Sequence, residues 1–348
     1  MQNAFEIQIS GGQSKEADRT QLFVLALALG IVSAALLASW LPLQVSIATV
    51  FLFAGPHNWF ELRYFLMRLP VRFGRSRAFF LTAFGGLAFL TSTYVSLPLI
   101  YRATAWSNEA WLILLGSWNT LLLAWVCTLA LLRGKQKPRS NWTWIVPAIM
   151  LVGALNWLQP DLFSLALVYI HPLVALWFLD RQLKRTRQQW LKTYRRSLIL
   201  IPIVVAVMAW QLSQTTSLSE DNGLFWRITQ HSGAELLPNI SSHLLVSVHL
   251  FLEMLHYGVW IVALPLVGMM IGPGRNNLAH VLNLKTVPVA THPRGFPKLV
   301  TTVLAMGVAV VLILWVGFAV DYSTTRDIYF TVAIAHVIAE APFLMKML

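Results

Sequence analysis

Apolar residues in this chain come in blocks of about twenty, and that spacing constrains the fold more than any other feature. A helix rising ~1.5 Å per residue needs about twenty apolar residues to cross a bilayer core of ~30 Å. Ten blocks qualify, at roughly 21–40, 45–68, 78–100, 109–132, 142–158, 161–180, 197–214, 243–270, 298–320 and 327–346. Of the 348 residues, 57% are hydrophobic and 11% charged, whereas a soluble domain carries about 25% charged residues. That deficit excludes an ordinary cytosolic enzyme and a disordered chain. The expected fold is all-α, a polytopic integral membrane bundle of about ten helices. Residues 1–20 read as a polar cytoplasmic segment and 21–348 as one transmembrane domain. Glu6, Lys15, Glu16, Asp18 and Arg19 rule out a cleavable signal peptide at the start.

The net charge of +12 sorts by loop. Arg72, Arg75 and Arg77 follow the second block. Arg133, Lys135, Lys137 and Arg139 follow the fourth. Arg181, Lys184, Arg185, Arg187, Lys192, Arg195 and Arg196 follow the sixth, and Arg275, Lys285, Arg294 and Lys298 the eighth. The alternate loops hold only Arg102, Arg227 and Arg326, with seven of the 14 acids, Glu109, Asp161, Glu220, Asp221, Glu235, Asp321 and Asp327. The positive-inside rule then places both termini in the cytoplasm. Losing one block would scramble every later loop, so the pattern supports ten. The charge marks topology, with membrane lipids as the partners and no nucleic acid expected. Cys127 is the one cysteine, which excludes a disulfide framework, a Cys-ligated zinc and an iron–sulfur cluster.

Three acidic residues lie inside the blocks: Glu61, Glu253 and Glu340. Each stands four residues after a histidine, namely His57, His249 and His336. Residues four apart share a helix face. An ionisable group at mid-membrane costs at least ~2.5–3.5 kcal/mol, so it needs a partner. His256 follows Glu253 by three residues, and His171 lies mid-block beside Pro172. Counted from the external ends of their blocks, His57, His171, His256 and His336 fall within roughly 6 Å of one depth. His249 sits about two turns nearer the outside. These five histidines are the candidate metal ligands, with Glu61, Glu253 and Glu340 as further ligands or as carboxylates that orient the imidazoles. His231, His243, His280 and His292 fall in loops or at a span edge, where solvation is the default.

Such a donor set suits one Fe(II)-like ion, another divalent metal, or a two-metal centre. A di-iron carboxylate bundle normally uses two Glu-x-x-His motifs, and only Glu253-Met-Leu-His256 is present. Haem is disfavoured because it explains none of the glutamates. The same residues also suit a proton relay or ion pathway in a transporter, or hydrogen bonding between helices.

Trp40, Trp106, Trp111, Trp142, Trp157 and Trp226 sit near span ends and read as interfacial belt residues. Trp59, Trp177 and Trp260 lie in histidine-bearing spans. They line an apolar substrate cavity or simply pack, packing being the default for aromatic stripes. Leu224-Phe225-Trp226 in the longest external loop reads as a membrane-surface run, and Gly85-Gly86 as a point of close helix packing. No Walker-type loop, Gly-x-Ser-x-Gly or His-Glu-x-x-His occurs, which leaves ATPase, serine hydrolase and zincin readings without support.

The segment Ala54-Gly-Pro-His57-Asn-Trp-Phe-Glu61 resembles the Gly-x-Pro-His-Gly-Ala-x-Asp signature of the Brp/Blh family. Those are bacterial membrane dioxygenases that cleave β-carotene with histidine-bound iron. Glu61 stands in the place of the acid and Asn58 in that of the glycine. The resemblance implies non-haem iron, His57 among its ligands, a helical membrane enzyme and a bacterial inner or internal membrane. The expectation is therefore a metal-dependent membrane oxidoreductase or oxygenase acting on a lipid-soluble, isoprenoid-like substrate. A transporter, and a structural or assembly subunit of a membrane complex, are the alternatives.

Overall fold

The computed structural model describes residues 2–104, 107–137, 142–269 and 287–347, the side chains of 2–18, Thr104 and Met269 excepted. Trp106, Arg139, Arg275, His280 and Lys285, and the side chains of Glu6, Lys15, Glu16 and Asp18, lie outside the described residues. Among the described residues there is no strand. The helices are α1 (Gln2–Trp40), α2 (Pro42–Arg68), α3 (Arg77–Thr104), α4 (Asn108–Gln136), α5 (Ile145–Leu158), α6 (Pro160–Thr186), α7 (Gln188–Ser197), α8 (Leu200–Leu212), α9 (Gly223–His231) and α10 (Ser242–Tyr257). A π-helical turn, Gly258–Ala263, leads from α10 into α11 (Leu264–Met269). The chain ends with α12 (Pro288–Thr291), α13 (Pro297–Val320) and α14 (Tyr322–Met347), and a short 3₁₀ turn, Gly74–Ser76, precedes α3.

Each of the ten expected blocks is helical. Among the described residues, eight helices are long and apolar enough to cross a membrane, so the chain is an all-α helical bundle of the membrane class. The two blocks outside those eight have separate reasons. α5 has 14 residues, about 21 Å of helix, short of a full hydrocarbon core. α2 has 27 residues but carries Gln44, His57, Asn58, Glu61, Arg63 and Arg68. His57 and Glu61 in that polar load are candidate site residues.

Two stretches expected as loops are ordered as helix. The basic run 181–196 is the end of α6 followed by α7. Trp190, Tyr194 and Ser197 recur at helical spacing and are buried, while Lys192, Arg195 and Arg196 stay exposed. The Tyr194 hydroxyl donates to the Leu176 carbonyl at 2.7 Å. Arg195 grips Asp180 through Nε at 2.7 Å and Nη2 at 3.1 Å. The Leu224-Phe225-Trp226 run is α9, capped by Asn222, which accepts from the Phe225 amide at 2.8 Å. Leu224 and Phe225 pack on Leu43, Ile228 and Val246, and Trp226 remains exposed. Arg326, expected in a loop, is a buried residue of α14, its guanidinium 4.7 Å from the Phe330 ring centroid.

The sequence alone offers one continuous helical domain; packing groups the chain into two compact units. The first comprises residues 1–49 and 172–281. In it α1 packs on α7, α8 and α10. Ile31, Ala34, Ala35 and Ala38 form its buried stripe, and small side chains let helices approach closely where lipid gives no hydrophobic drive. His243 Nε2 donates to the Ser39 carbonyl at 2.9 Å.

The second unit comprises residues 50–171 and 282–348. Here α14 packs on α3, α4 and α13, and Ile338 and Met345 enter a core built from Phe79, Phe80, Leu90, Trp118 and Leu129. Trp118 Nε1 donates to the Leu90 carbonyl at 3.0 Å and Trp125 Nε1 to the Thr82 carbonyl at 2.8 Å. Gly86 is required there: a Cβ would collide with the Trp125 indole, whereas one on Gly85 would meet nothing. The close packing expected at this pair is real at Gly86 alone. Asn119 and Asn156 join α4 to α5 in the buried interior, 2.7 Å apart, and Asn156 Nδ2 also donates to the Gly116 carbonyl at 3.0 Å.

Candidate metal centre

Five of the eight predicted side chains belong to the second unit: His57 and Glu61 on α2, His171 on α6, and His336 and Glu340 on α14. The helices are fixed by contacts on either side of these residues. Trp59 Nε1 donates to the Leu304 carbonyl of α13 at 3.1 Å. Gly55 lets α2 close on Val311, where a Cβ would come within 3.2 Å. One turn below the site, Phe65 stacks on Phe343 at 4.2 Å between centroids and 2° between planes. One turn above it, the Tyr329 hydroxyl lies 3.5 Å from the Ala54 carbonyl and 3.5 Å from Asn58 Nδ2.

Each of the three helices carries an internal proline at the site: Pro56 before His57, Pro172 after His171 and Pro342 two residues after Glu340. A proline inside a helix removes one backbone hydrogen bond. The arrangement adds polar backbone at the depth where the ionisable side chains lie.

His57, Glu61 and His336 each offer one ligand atom, and these atoms lie within 4.8 Å of one another. The His57 and His336 ring centroids are 5.3 Å apart at 81°, and those of His171 and His336 are 4.8 Å apart at 68°. His57 and Glu61 are each 1% exposed. His57 Nδ1 lies 2.9 Å from the Phe53 carbonyl. A carbonyl only accepts, so Nδ1 carries the proton and, in the neutral ring, Nε2 carries the lone pair. His171 Nδ1 lies 2.9 Å from Glu340 Oε2 and its Nε2 lies 3.0 Å from His336 Nε2. Glu340 thus orients His171 as a carboxylate orients a ligating histidine. Among the described residues neither oxygen of Glu61 has a hydrogen-bond partner, although burying a carboxylate without compensation is costly.

These residues could hold a metal ion. At ~2.1 Å bonds, two ligand atoms sit about 3.0 Å apart when cis and about 4.2 Å apart when trans. The His171–His336 separation of 3.0 Å equals the cis figure. Two imidazoles and one carboxylate form the donor set of non-haem Fe(II) sites with open positions.

The other three predicted residues, His249, Glu253 and His256, lie on α10 in the first unit and are all buried there. Glu253 accepts from the Tyr257 hydroxyl at 2.7 Å. His249 meets the ring of His231 at 5.2 Å and 78°, so His231 is more than the solvated loop residue expected. His256 lies against Tyr257 and Trp260, at 5.9 and 6.4 Å between centroids, just before the π-helical turn; such turns recur at functional sites. The three tryptophans considered for a substrate cavity are all held by protein contacts. Trp59 bonds α13, Trp177 lies under the Arg181 guanidinium at 4.6 Å, and Trp260 packs on Phe178 at 5.3 Å.

Periodicity shows which residues share a face but not which residue on a neighbouring helix they meet. It paired Glu340 with His336, whereas the closest partner of Glu340 is His171. Tyr257 and Tyr329 were missed because an aromatic residue does not stand out among apolar neighbours. No protein-family model, curated protein or solved structure matches the chain.

Proposed function

We propose that this chain is a membrane oxidoreductase whose second unit holds a non-haem metal ion, iron(II) in the first instance, and acts on a lipid-soluble substrate. The observation that carries this reading is the convergence of His57, Glu61 and His336 from two helices, with His171 beside His336. His57 and His336 would hold the ion through ring nitrogens and Glu61 through its carboxylate. When ionised, Glu340 would keep His171 in the tautomer whose Nε2 carries a lone pair. When bound, such a metal supplies redox chemistry with O₂ at its open positions. The chain supplies the rest. Burial of His57, Glu61 and Glu340 excludes water from reactive species.

Access from the bilayer supports a lipid-soluble substrate. Ile328 and Val332 precede His336 by eight and four residues on the same face of α14 and are 58% and 50% exposed. Ile170, next to His171, is 57% exposed. The likeness of residues 54–61 to the Brp/Blh signature supports iron and an isoprenoid substrate. The test is elemental analysis of detergent-purified protein. A first-row transition metal near one equivalent is expected, and protein that purifies with none and takes up none from anaerobic iron(II) overturns the reading.

One observation favours a second reading. Glu340, His171 and His336 form a continuous hydrogen-bonded chain, which is the geometry of a proton relay. Protein reconstituted in vesicles separates the two, because a carrier moves protons or metal ions across the bilayer and an enzyme does not.

A further inference from the structure

We infer that the exposed face shared by α7 and α8 binds an anionic phospholipid, its headgroup on Lys192 and Arg196 and an acyl chain along the apolar row that continues from them. The inference is independent of the metal, and every residue in it belongs to the first unit.

Two residues, Leu198 and Ile199, join α7 to α8. Both have right-handed helical backbone, φ −62° at each with ψ −19° and −22°. Pro202 has no N–H to give the Leu198 carbonyl, which accepts from the Ile201 amide at 3.1 Å instead. The junction is thus a tightened turn, and the two helices share one set of faces. On one face Trp190, Tyr194, Ser197, Ile201 and Met208 are buried. On the other Lys192, Arg196, Ile199, Ile203, Val207 and Trp210 are exposed. They recur at spacings of three and four, which keep residues on one side of a helix.

That exposed row changes character along its length, from two cations to four apolar side chains. The span Gln188–Leu212 has 25 residues, about 38 Å of helix against a hydrocarbon core of ~30 Å. The surplus brings Lys192 to headgroup depth and Arg196 within snorkelling reach of it. From Arg196 to Val207 the row runs about 16 Å, close to the ~15 Å of one leaflet.

The two cations are available to a ligand. Their neighbour Arg195 is committed to Asp180, which also lies 3.6 Å from Arg181 Nε. No aspartate or glutamate occurs in 181–219, and among the described residues no carboxylate pairs with Lys192 or Arg196. Lys184 and Arg185, exposed where α6 ends, add to the same field. Topology marking needs only a number of cations in a loop. It does not call for an ordered helix, pinned by Trp190 and Tyr194, that sets two of them in line with an exposed apolar row. An acidic protein surface would answer the charge and leave that row unused, whereas an anionic amphiphile answers both.

The test is native mass spectrometry of the full chain released from nanodiscs of equal phosphatidylglycerol and phosphatidylcholine. Wild-type protein is expected to retain phosphatidylglycerol preferentially. Lys192→Gln and Arg196→Gln should each lower that preference about fivefold, the equivalent of about 1 kcal/mol per cation. Lys192→Arg should keep it, and so should Arg102→Gln, exposed near the far end of α3. Both tested side chains are exposed, so the variants should keep the wild-type thermal midpoint. A second arm adds millimolar glycerophosphoglycerol, the same headgroup without acyl chains. Lipid that stays bound supports the combined site; lipid fully displaced assigns the cations to a soluble phosphodiester and overturns the acyl half. Equal retention of both lipids, or a preference that survives loss of both cations, overturns the site and leaves the charge to a protein partner or to topology.

Discussion

His171 Nε2 lies 3.0 Å from His336 Nε2, while the opposite nitrogen of His171 lies 2.9 Å from Glu340 Oε2. With Glu340 ionised, His171 Nδ1 holds a proton and its Nε2 turns a lone pair toward His336. Two arrangements satisfy that geometry. Either His336 Nε2 donates to His171, or both nitrogens direct lone pairs at a cation. The first is a relay and the second a metal site, and substitution tells them apart.

His57→Ala and His336→Ala should each remove most of the bound metal while leaving the protein in the membrane. Insertion depends on the summed apolar transfer of a whole helix, and replacing a histidine by alanine makes it easier. Plasma mass spectrometry of membrane-extracted protein checks this. Full occupancy in both variants would falsify the assignment of these two residues as ligands.

Glu61 and Glu340 should behave differently. Glu340→Gln leaves the ligands in place and loosens the hold on His171, which costs roughly 10–100-fold in metal affinity. Glu61→Gln removes a charged ligand and should cost more. Competition titration with a chromophoric chelator measures both, and the reverse order would make Glu61 the supporting residue and Glu340 the ligand.

Tyr257→Phe deletes the hydroxyl that donates to Glu253 at 2.7 Å and keeps the ring. Loss of one intramolecular hydrogen bond costs about 0.5–1.5 kcal/mol. The thermal midpoint, followed by tryptophan fluorescence in detergent, should fall by a few degrees with no change in bilayer insertion. An unchanged midpoint would mean Glu253 draws little from that bond.

Gly86→Ala places a methyl group against the Trp125 indole. Overpacking of this kind costs about 1–3 kcal/mol, so the midpoint should drop, and Trp125→Phe in the same chain should recover part of the loss. Gly85→Ala, with open space around it, should do neither. Equal effects at the two glycines would contradict the packing described for α3 and α4.

The all-α class was legible because apolar length is a one-dimensional property, and eight helices among the described residues are long and apolar enough to cross a membrane. So were His57, Glu61, His171, His336 and Glu340, since ionisable groups inside apolar blocks stand out and a spacing of four fixes a face. What stayed hidden depends on the neighbouring helix. Glu340 turns to His171 on α6, a choice between two imidazoles that no single-helix pattern encodes. Asn119 and Asn156 join across α4 and α5 with no spacing relation between them. The basic stretch around Lys192 looked like a loop because its charges outnumber its anchors, yet Trp190 and Tyr194 suffice to hold a helix.

The exposed stripe of Ile328 and Val332 that leads along α14 to His336 bears on how a rate should be counted. Under the proposed function, a substrate arriving along that stripe would be dissolved in lipid, so the concentration at the site would be its mole fraction in the bilayer or micelle. Added detergent would slow turnover by dilution in two dimensions at constant bulk concentration, and saturation would be reached per lipid instead of per litre.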